Sequence, residues 1–400
     1  MEIAVLGYGI VGSGVVEVLN LNQENIARRA GKDIHVKYVL DLRDFPGDPV
    51  ERMLVHDFKT IAEDPEVEIV VEVMGGVNPA YGYVKECLER GKSVCTSNKE
   101  LVAKHGAELL EIAKQKRVNF LFEASVGGGI PIIRPLNQSL TADEIMEITG
   151  ILNGTTNYIL SQMHDYGYDF ETVLKKAQEL GYAERNPEAD VEGYDACRKL
   201  AILTSLAYGK QVDYEDIYTE GITKITTEDM KYADAMDASV KLLGTGRREN
   251  DKFFAMVAPR IVKKSHPLYS VNNVFNGILV RGNVLGDVMF YGSGAGKLPT
   301  ASAVVADVVD AAKHVGTNIM TLWSSKKLAL SSSEEAESVF FVRVPAEEKE
   351  AAGKAFGAVK EIKAEGVTGE FAFLTEKLTE GAFAEKSRQV TVKNRIRVEL

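Results

Sequence analysis

The sequence predicts an α/β protein: a doubly wound parallel sheet first, then an α+β region, then a small βαββαβ unit. Three observations carry that reading. Short, branched apolar runs alternate with helical stretches over the first 130 residues, which is the rhythm of βαβ units. A glycine loop, Gly7-Tyr8-Gly9-Ile10-Val11-Gly12, joins the first apolar run directly to a helix. Beyond Pro131 the rhythm gives way to helices and then to strand-like segments separated by Gly, Asn and Pro.

In the first part, strands are expected at 3–6, 35–40, 68–73, 93–96 and 118–122, with helices at 15–30, 79–90 and 99–116. A helix at 131–140, a strand at 144–152 and several helices up to residue 208 follow. Residues 253–262 and 277–284 have strand composition, and a mixed or antiparallel sheet covered by helices accommodates them. Another helix is expected at 299–314. Ser331-Ser332-Ser333-Glu334-Glu335 reads as a polar linker. After it, 338–400 reads as a βαββαβ unit, opened by Phe340-Phe341-Val342-Arg343-Val344 and closed by Ile396-Arg397-Val398.

With 400 residues, 45% of them hydrophobic and 26% charged, the chain suits a globular protein of two or three domains. Its net charge of -11 argues against a broad nucleic-acid surface. No apolar run approaches the ~18 residues of a membrane span, so neither nucleic acid nor membrane is an expected partner. Cys87, Cys95 and Cys197 have no metal-site spacing and form no even framework. A reducing cytoplasm is the expected compartment.

The glycine loop follows a strand and opens a helix, the Rossmann-type context in which such glycines let a backbone approach a pyrophosphate. At the end of the second strand, Val39-Leu40-Asp41-Leu42-Arg43 offers an acid for ribose hydroxyls and an arginine for a 2′-phosphate. NAD and NADP both remain open. Tyr291-Gly292-Ser293-Gly294-Ala295-Gly296 is a second glycine cluster, either a return to the cofactor or a flexible connection.

Ser97-Asn98-Lys99-Glu100 lies where a parallel strand meets its helix, the edge at which ligands bind. A lysine on a helix's first turn opposes the dipole, which an anionic or carbonyl partner would offset; a solvated surface lysine reads equally well. Glu184, Asp190, Asp195 and Lys199 form a second group. If 190–208 is one helix, Asp195 and Lys199 are i,i+4 neighbours in line with Ile202, Leu203 and Leu206. Charges on a core-facing stripe are costly unless paired and mark clefts, which favours a functional site over a surface ion pair. In Glu123-Ala124-Ser125-Val126-Gly127-Gly128-Gly129-Ile130-Pro131, glycine-rich backbone carbonyls could converge with Glu123 on a hard cation, or the stretch is a plain loop. His266 is assigned no role.

The segments Gly150-Ile151-Leu152-Asn153-Gly154-Thr155-Thr156-Asn157-Tyr158 and Asp190-Val191-Glu192-Gly193-Tyr194-Asp195-Ala196-Cys197-Arg198-Lys199 resemble homoserine dehydrogenases. Val71-Glu72-Val73-Met74-Gly75-Gly76, the Ser97-Asn98-Lys99 turn and Gly292 to Ala301 support the same resemblance, which runs from the glycine loop to about His314. It implies an enzyme interconverting L-homoserine and L-aspartate 4-semialdehyde with NAD or NADP, on the threonine and methionine pathway. It implies Lys199 as proton donor and Lys99 near the nicotinamide and the reacting oxygen. Glu184, Asp190 and Asp195 are implied to hold the substrate. Glu123, Val126, Gly128 and Ile130 match a monovalent-cation site for sodium or potassium. Cofactor contacts are expected from Gly7, Gly9, Ile10, Val11, Gly12, Arg43, Thr96, Lys99, Gly292 and Gly294.

The resulting domains are 1–130 for the cofactor, with helix 299–314 returning to it, and 131–330 for substrate binding and homodimerisation. Residues 338–400 resemble an ACT regulatory domain. Two departures stand out. Arg185-Asn186-Pro187 replaces the Pro and Asp more usual after Glu184, and the acidic-Pro-Gly turn after the first tail strand is absent. The tail is therefore expected to fold and to respond weakly or not at all to threonine. A non-catalytic dinucleotide sensor and a dehydrogenase of a related amino-acid semialdehyde are the competing readings.

Overall fold

The computed structural model describes residues 1–399, so Leu400, the end of the expected tail unit, lies outside the described residues. The chain forms two compact units. One comprises Met1–Asp143, Ala201–Asp213 and Gly292–Leu328; the other comprises Glu144–Leu200, Tyr214–Tyr291 and the chain from Ala329 onward.

In the first unit six parallel strands, β1 (Glu2–Leu6), β2 (His35–Leu40), β3 (Leu54–Val55), β4 (Val67–Glu72), β5 (Ser93–Thr96) and β6 (Phe120–Leu121), lie in the order β3-β2-β1-β4-β5-β6. Ile3, Ala4, Val5 and Leu6 are fully buried, the consequence of helices on both faces and the reason β1 reads as an unbroken apolar run. The order reverses between β1 and β4, where crossovers leave to opposite sides and a crevice opens at the carboxyl ends.

Helices α1 (Ile10–Leu21), α2 (Gln23–Ala30), α3 (Phe58–Ala62), α4 (Ala80–Glu89) and α5 (Lys99–Lys116) fill the crossovers. The helix expected at 15–30 starts earlier and breaks at Asn22, which leaves the helical backbone region. β8 (Lys210–Gln211) pairs with β14 (Ser324–Lys327) on the same unit.

Helix α11 (Lys297–Lys313) also packs here. Its Ala301, Val304, Val305, Val308, Ala311 and Ala312 join Ile3, Val5, Val15 and Val71 in one core. Gly14 permits the close α1–α11 approach, because a Cβ there would sit 3.0 Å from the Lys297 carbonyl oxygen. The helix expected at 131–140 is reduced to a wide i→i+5 turn at Pro135–Ser139, closed by Leu140 N–H on the Pro135 carbonyl.

The second unit is built on a largely antiparallel sheet of β7 (Ile145–Ile151), β9 (Tyr218–Thr219), β10 (Ala238–Glu249), β11 (Lys252–Lys263), β12 (Phe275–Gly282) and β13 (Gly286–Ser293). β10 and β11 form a long hairpin from Ala238↔Lys263 to Glu249↔Lys252 around Asn250-Asp251. Asn250 there has the left-handed φ of 55° that two-residue hairpin turns demand. Helices α6 (Gly154–Tyr166), α7 (Phe170–Glu179), α8 (Glu188–Val191), α9 (Tyr194–Tyr208) and α10 (Thr227–Ala235) accompany it.

The tail has the expected βαββαβ sequence: β15 (Glu337–Pro345), α12 (Lys349–Phe356), β16 (Lys360–Ile362), β17 (Glu370–Leu374), α13 (Glu380–Ser387) and β19 (Asn394–Glu399), with the short β18 (Leu378–Thr379) on β15. Phe340, Val342, Phe356, Phe371, Phe373 and Phe383 form its core. It does not stand alone, however. β19 pairs in parallel with β11, from Arg260↔Arg397 to Val262↔Glu399, and the order becomes β13-β12-β7-β10-β11-β19-β15-β17-β16. Buried arginines anchor it: Arg343 pairs with Asp229 at 2.6 Å and Glu370 at 2.9 Å, and Arg397 with Glu220 at 2.9 Å.

Candidate active site

The crevice of the first unit begins at the glycine loop. A Cβ on Gly12 would lie 2.0 Å from the Gly7 carbonyl oxygen, so α1 closes onto the loop only with glycine there. A Cβ on Gly9 would meet no protein atom within 4 Å; its face is open to the crevice. The crevice holds about 520 Å³ and is lined by Gly7, Gly9, Asp41, Arg43, Met74 and Gly75, among others. Ile10 is exposed at the start of α1 and Val11 half-buried. This fits a dinucleotide: bare backbone, the start of a helix and room beside them.

Asp41 and Arg43 act as one unit. The Asp41 carboxylate accepts the Tyr8 N–H at 2.8 Å and the Arg43 guanidinium through Nε and Nη2, both at 2.9 Å. The guanidinium holds the Asp41 carboxyl well below the usual range. Arg43 itself is exposed and lies over the Phe45 ring at 5.1 Å.

Thr96 faces inward. Its hydroxyl donates to Glu72 at 2.6 Å and accepts from the Asn98 N–H at 2.9 Å. Asn98 caps α5 by accepting from the Leu101 N–H, while its amide donates to the Gly76 carbonyl at 2.6 Å. Glu72, fully buried, also accepts the Met74 N–H at 2.8 Å; burial pushes its carboxyl up against these hydrogen bonds. This network, which sequence reasoning missed, fixes the turn that presents half-buried Lys99 as the first residue of α5. An acid closing an otherwise apolar strand was the available signal.

Glu123 behaves differently from the expectation. Its carboxylate accepts the N–H groups of Ile132, Ile133 and Arg134 at 2.6, 2.8 and 2.7 Å. The side chain thus caps the turn after the glycines. Among the described residues no group of three or more His, Cys, Asp or Glu side chains is placed to hold a metal. Asp307 accepts the Glu123 N–H at 2.8 Å and pairs with Arg134; burial and the Glu123 carboxylate push Asp307 up to about 8.

Gly292 and Gly294 pack against this turn. A Cβ on Gly128 would lie 2.3 Å from the Gly294 carbonyl oxygen, and Gly129 donates its N–H to Ser293.

In the second unit, Lys199 donates to the Asp195 carboxylate at 2.7 Å and to the Leu152 carbonyl at 2.8 Å. Their side chains are 11% and 8% exposed, which separates the pair from a solvated surface bridge. Asp190 is not on the same helix. The chain breaks at Gly193, whose φ of +83° ends α8 and starts α9 in a new direction. The Asn153 amide nitrogen bridges Asp190 at 2.7 Å and Asp195 at 2.9 Å. Burial, then the Asp195 carboxylate, pushes the Asp190 carboxyl up. Glu184 is exposed on the loop after α7, with its carbonyl held by the Gln178 amide and the loop tied down where Thr155 donates to the Tyr182 carbonyl.

A parallel sheet in this order with a glycine-loop crevice, in a chain that also carries a shielded lysine–carboxylate site, defines a dinucleotide-dependent dehydrogenase. Comparison with known proteins narrows the class. The family model for the NAD binding domain of homoserine dehydrogenase matches residues 7–123, and that for homoserine dehydrogenase matches 131–309. The homoserine dehydrogenase of Synechocystis is 48% identical over 318 residues, covering 78% of this chain and 73% of its own. That of Pseudomonas aeruginosa is 40% identical over 357 residues, covering 87% and 82%.

Among solved structures, homoserine dehydrogenase from Thiobacillus denitrificans matches with a TM-score of 0.87 at 36% identity, over 100% of this chain and 98% of the other. A hyperthermophilic archaeal homoserine dehydrogenase in complex with NADPH matches with a TM-score of 0.67 at 27% identity, over 78% and 97%. The chain belongs to the homoserine dehydrogenase family. It is an NAD(P)-dependent oxidoreductase, and the reading as a non-catalytic sensor falls away.

Proposed function

We propose that Lys199 carries the proton in the interconversion of L-homoserine and L-aspartate 4-semialdehyde. The observation behind this is the Lys199 ammonium held between the Asp195 carboxylate and the Leu152 carbonyl, both side chains of the pair being shielded from water. The nicotinamide supplies the hydride chemistry when bound. The chain's own task is to orient the substrate and manage one proton. Two hydrogens of Lys199 point to Asp195 and Leu152; the third is assigned to the substrate oxygen. Lys99 stabilises charge developing on that oxygen.

Glu184 and Asp190 hold the substrate, Glu184 through the ammonium group; a raised KM for homoserine in Glu184→Ala, with cofactor binding unchanged, checks this. Because Asp41 is occupied by Tyr8 and Arg43 while Arg43 is exposed, we assign Arg43 to a 2′-phosphate and NADP as the preferred cofactor. A lower KM for NADP than for NAD, lost in Arg43→Ala, is the expected result. A sodium or potassium ion is assigned to the main-chain oxygens of Glu123, Val126, Gly128 and Ile130.

The test of the main assignment is Lys199→Ala. General acid–base catalysis contributes ~10²–10⁴-fold, and turnover should fall by that order with NAD(P) binding retained. Retention of wild-type turnover with an unchanged pH profile would sink it.

A further inference from the structure

We propose that Asn153 is a positioning residue for proton transfer: one amide nitrogen fixes the Asp190 and Asp195 carboxylates, and through Asp195 it sets where the Lys199 ammonium sits. The inference rests on Lys199 as the proton carrier.

Asn153 does two separable things. Its side-chain oxygen accepts the Thr156 N–H at 2.9 Å and caps α6. That is an ordinary N-cap, and serine or aspartate would serve as well. Its nitrogen donates to Asp190 at 2.7 Å and to Asp195 at 2.9 Å. An amide has two hydrogens on that nitrogen, one for each carboxylate, and no serine or aspartate offers such a pair. The neighbours also fix the orientation of the amide. Turned over, it would set nitrogen against the Thr156 N–H and oxygen against two carboxylates.

The need for such a bridge follows from charge. Asp190 sits on α8 and Asp195 on α9, beyond the break at Gly193, so no shared helix holds them apart. Burial and Asp195 already push the Asp190 carboxyl up. The Asp195 oxygen that accepts from Asn153 is the same Oδ2 that accepts from Lys199, so the amide determines the lysine's anchor. The titratable groups facing this amide are Asp190 from α8 and Asp195 and Lys199 from α9. The chain leading out of β7 contributes the Leu152 carbonyl. Below it on β10 is Gly244, where a Cβ would meet Leu152 at 3.0 Å.

The experiment compares wild type, Asn153→Ser, Asn153→Asp and Lys199→Ala by the pH dependence of kcat for homoserine oxidation at saturating substrates. Melting temperature and KM for NAD(P) are followed in parallel. Oxidation needs a proton acceptor, so the rate rises with pH until that group is deprotonated. A third carboxylate at position 153 favours the protonated state of the acceptor, and Asn153→Asp should move the rising limb to higher pH by about 1 unit. Asn153→Ser should move it the same way by less, since Asp195 loses a donor and leans on Lys199.

Cofactor KM should stay near wild type in both, because the cap survives; melting temperature should stay near wild type in Asn153→Ser and fall in Asn153→Asp, which sets a third carboxylate against two shielded ones. If both profiles superimpose on wild type while Lys199→Ala is inactive, the inference falls and the Lys199 assignment stands. If Lys199→Ala retains the wild-type limb, both fall. If neither Asn153 variant folds, the amide's role is structural and the inference is overturned.

Discussion

Lys241 shows how a single buried side chain can shape stability. It is 1% exposed on β10, and its ammonium donates to the Val271 carbonyl and the Asn272 side-chain oxygen, both at 2.7 Å. Burial pushes it from 10.5 down to about 8. The unfolded chain therefore binds more protons than the folded one between those values, and stability must rise with pH across that window. Below about pH 8 the folded protein carries the whole cost, about 3 kcal/mol at ~1.4 kcal/mol per pH unit. Buried thiols act in the opposite sense at high pH, so the effect is read as a difference. Denaturant unfolding should show wild type gaining on Lys241→Met as pH rises from about 8 to about 10.5. A gap independent of pH would show that Lys241 titrates normally. No periodicity announced this residue: a lysine inside an apolar strand reads as an outlier until the Asn157 and Asn272 amides are seen around it.

Among the elements, the outcome depended on how local each rule is. Helix α5 falls on the predicted 99–116 because its cap and its apolar face are both written within the segment. The helix expected over 190–208 instead divides at Gly193, where a Cβ would meet Thr219 and Val257 at 3.2 Å, contacts from strands far along the chain. The Glu123 turn is similar, its carboxylate drawn to N–H groups nine to eleven residues on. The proposed cation site of main-chain oxygens predicts that sodium or potassium should raise activity above a large organic cation at matched ionic strength. Equal rates in all three would overturn the site.

The tail makes the other prediction at this level. β15 passes through the short turn Ala346–Glu348 into α12, without the glycine that would expose N–H groups to an amino acid's carboxylate. Threonine titration should leave the initial rate nearly unchanged. Strong, saturable inhibition that disappears on truncation near Ser331 would contradict this.

At the level of the whole molecule, β12 and β13 end the larger sheet among the described residues, and Phe275, Val284, Leu285, Met289 and Tyr291 are exposed there. An open edge with exposed apolar side chains is a pairing surface. We expect a homodimer joined through these strands, and light scattering should give twice the chain mass of 43.8 kDa. Lysines at Met289 and Tyr291 should shift it towards monomer; a wild-type monomer would refute the expectation.

The sequence by itself determined the alternating strands and helices, the glycine loop, and the Asp195–Lys199 pair. Period, φ preference and i,i+4 spacing act over a few residues, so they can be read from a few residues. Only the tertiary structure decided that Asn153 bridges Asp190 and Asp195, that Glu123 caps a turn, and that β19 extends the middle sheet. Each of these depends on which distant donors and apolar surfaces meet. That choice is made by burial and hydrogen-bond satisfaction over the whole fold, and no local pattern encodes it.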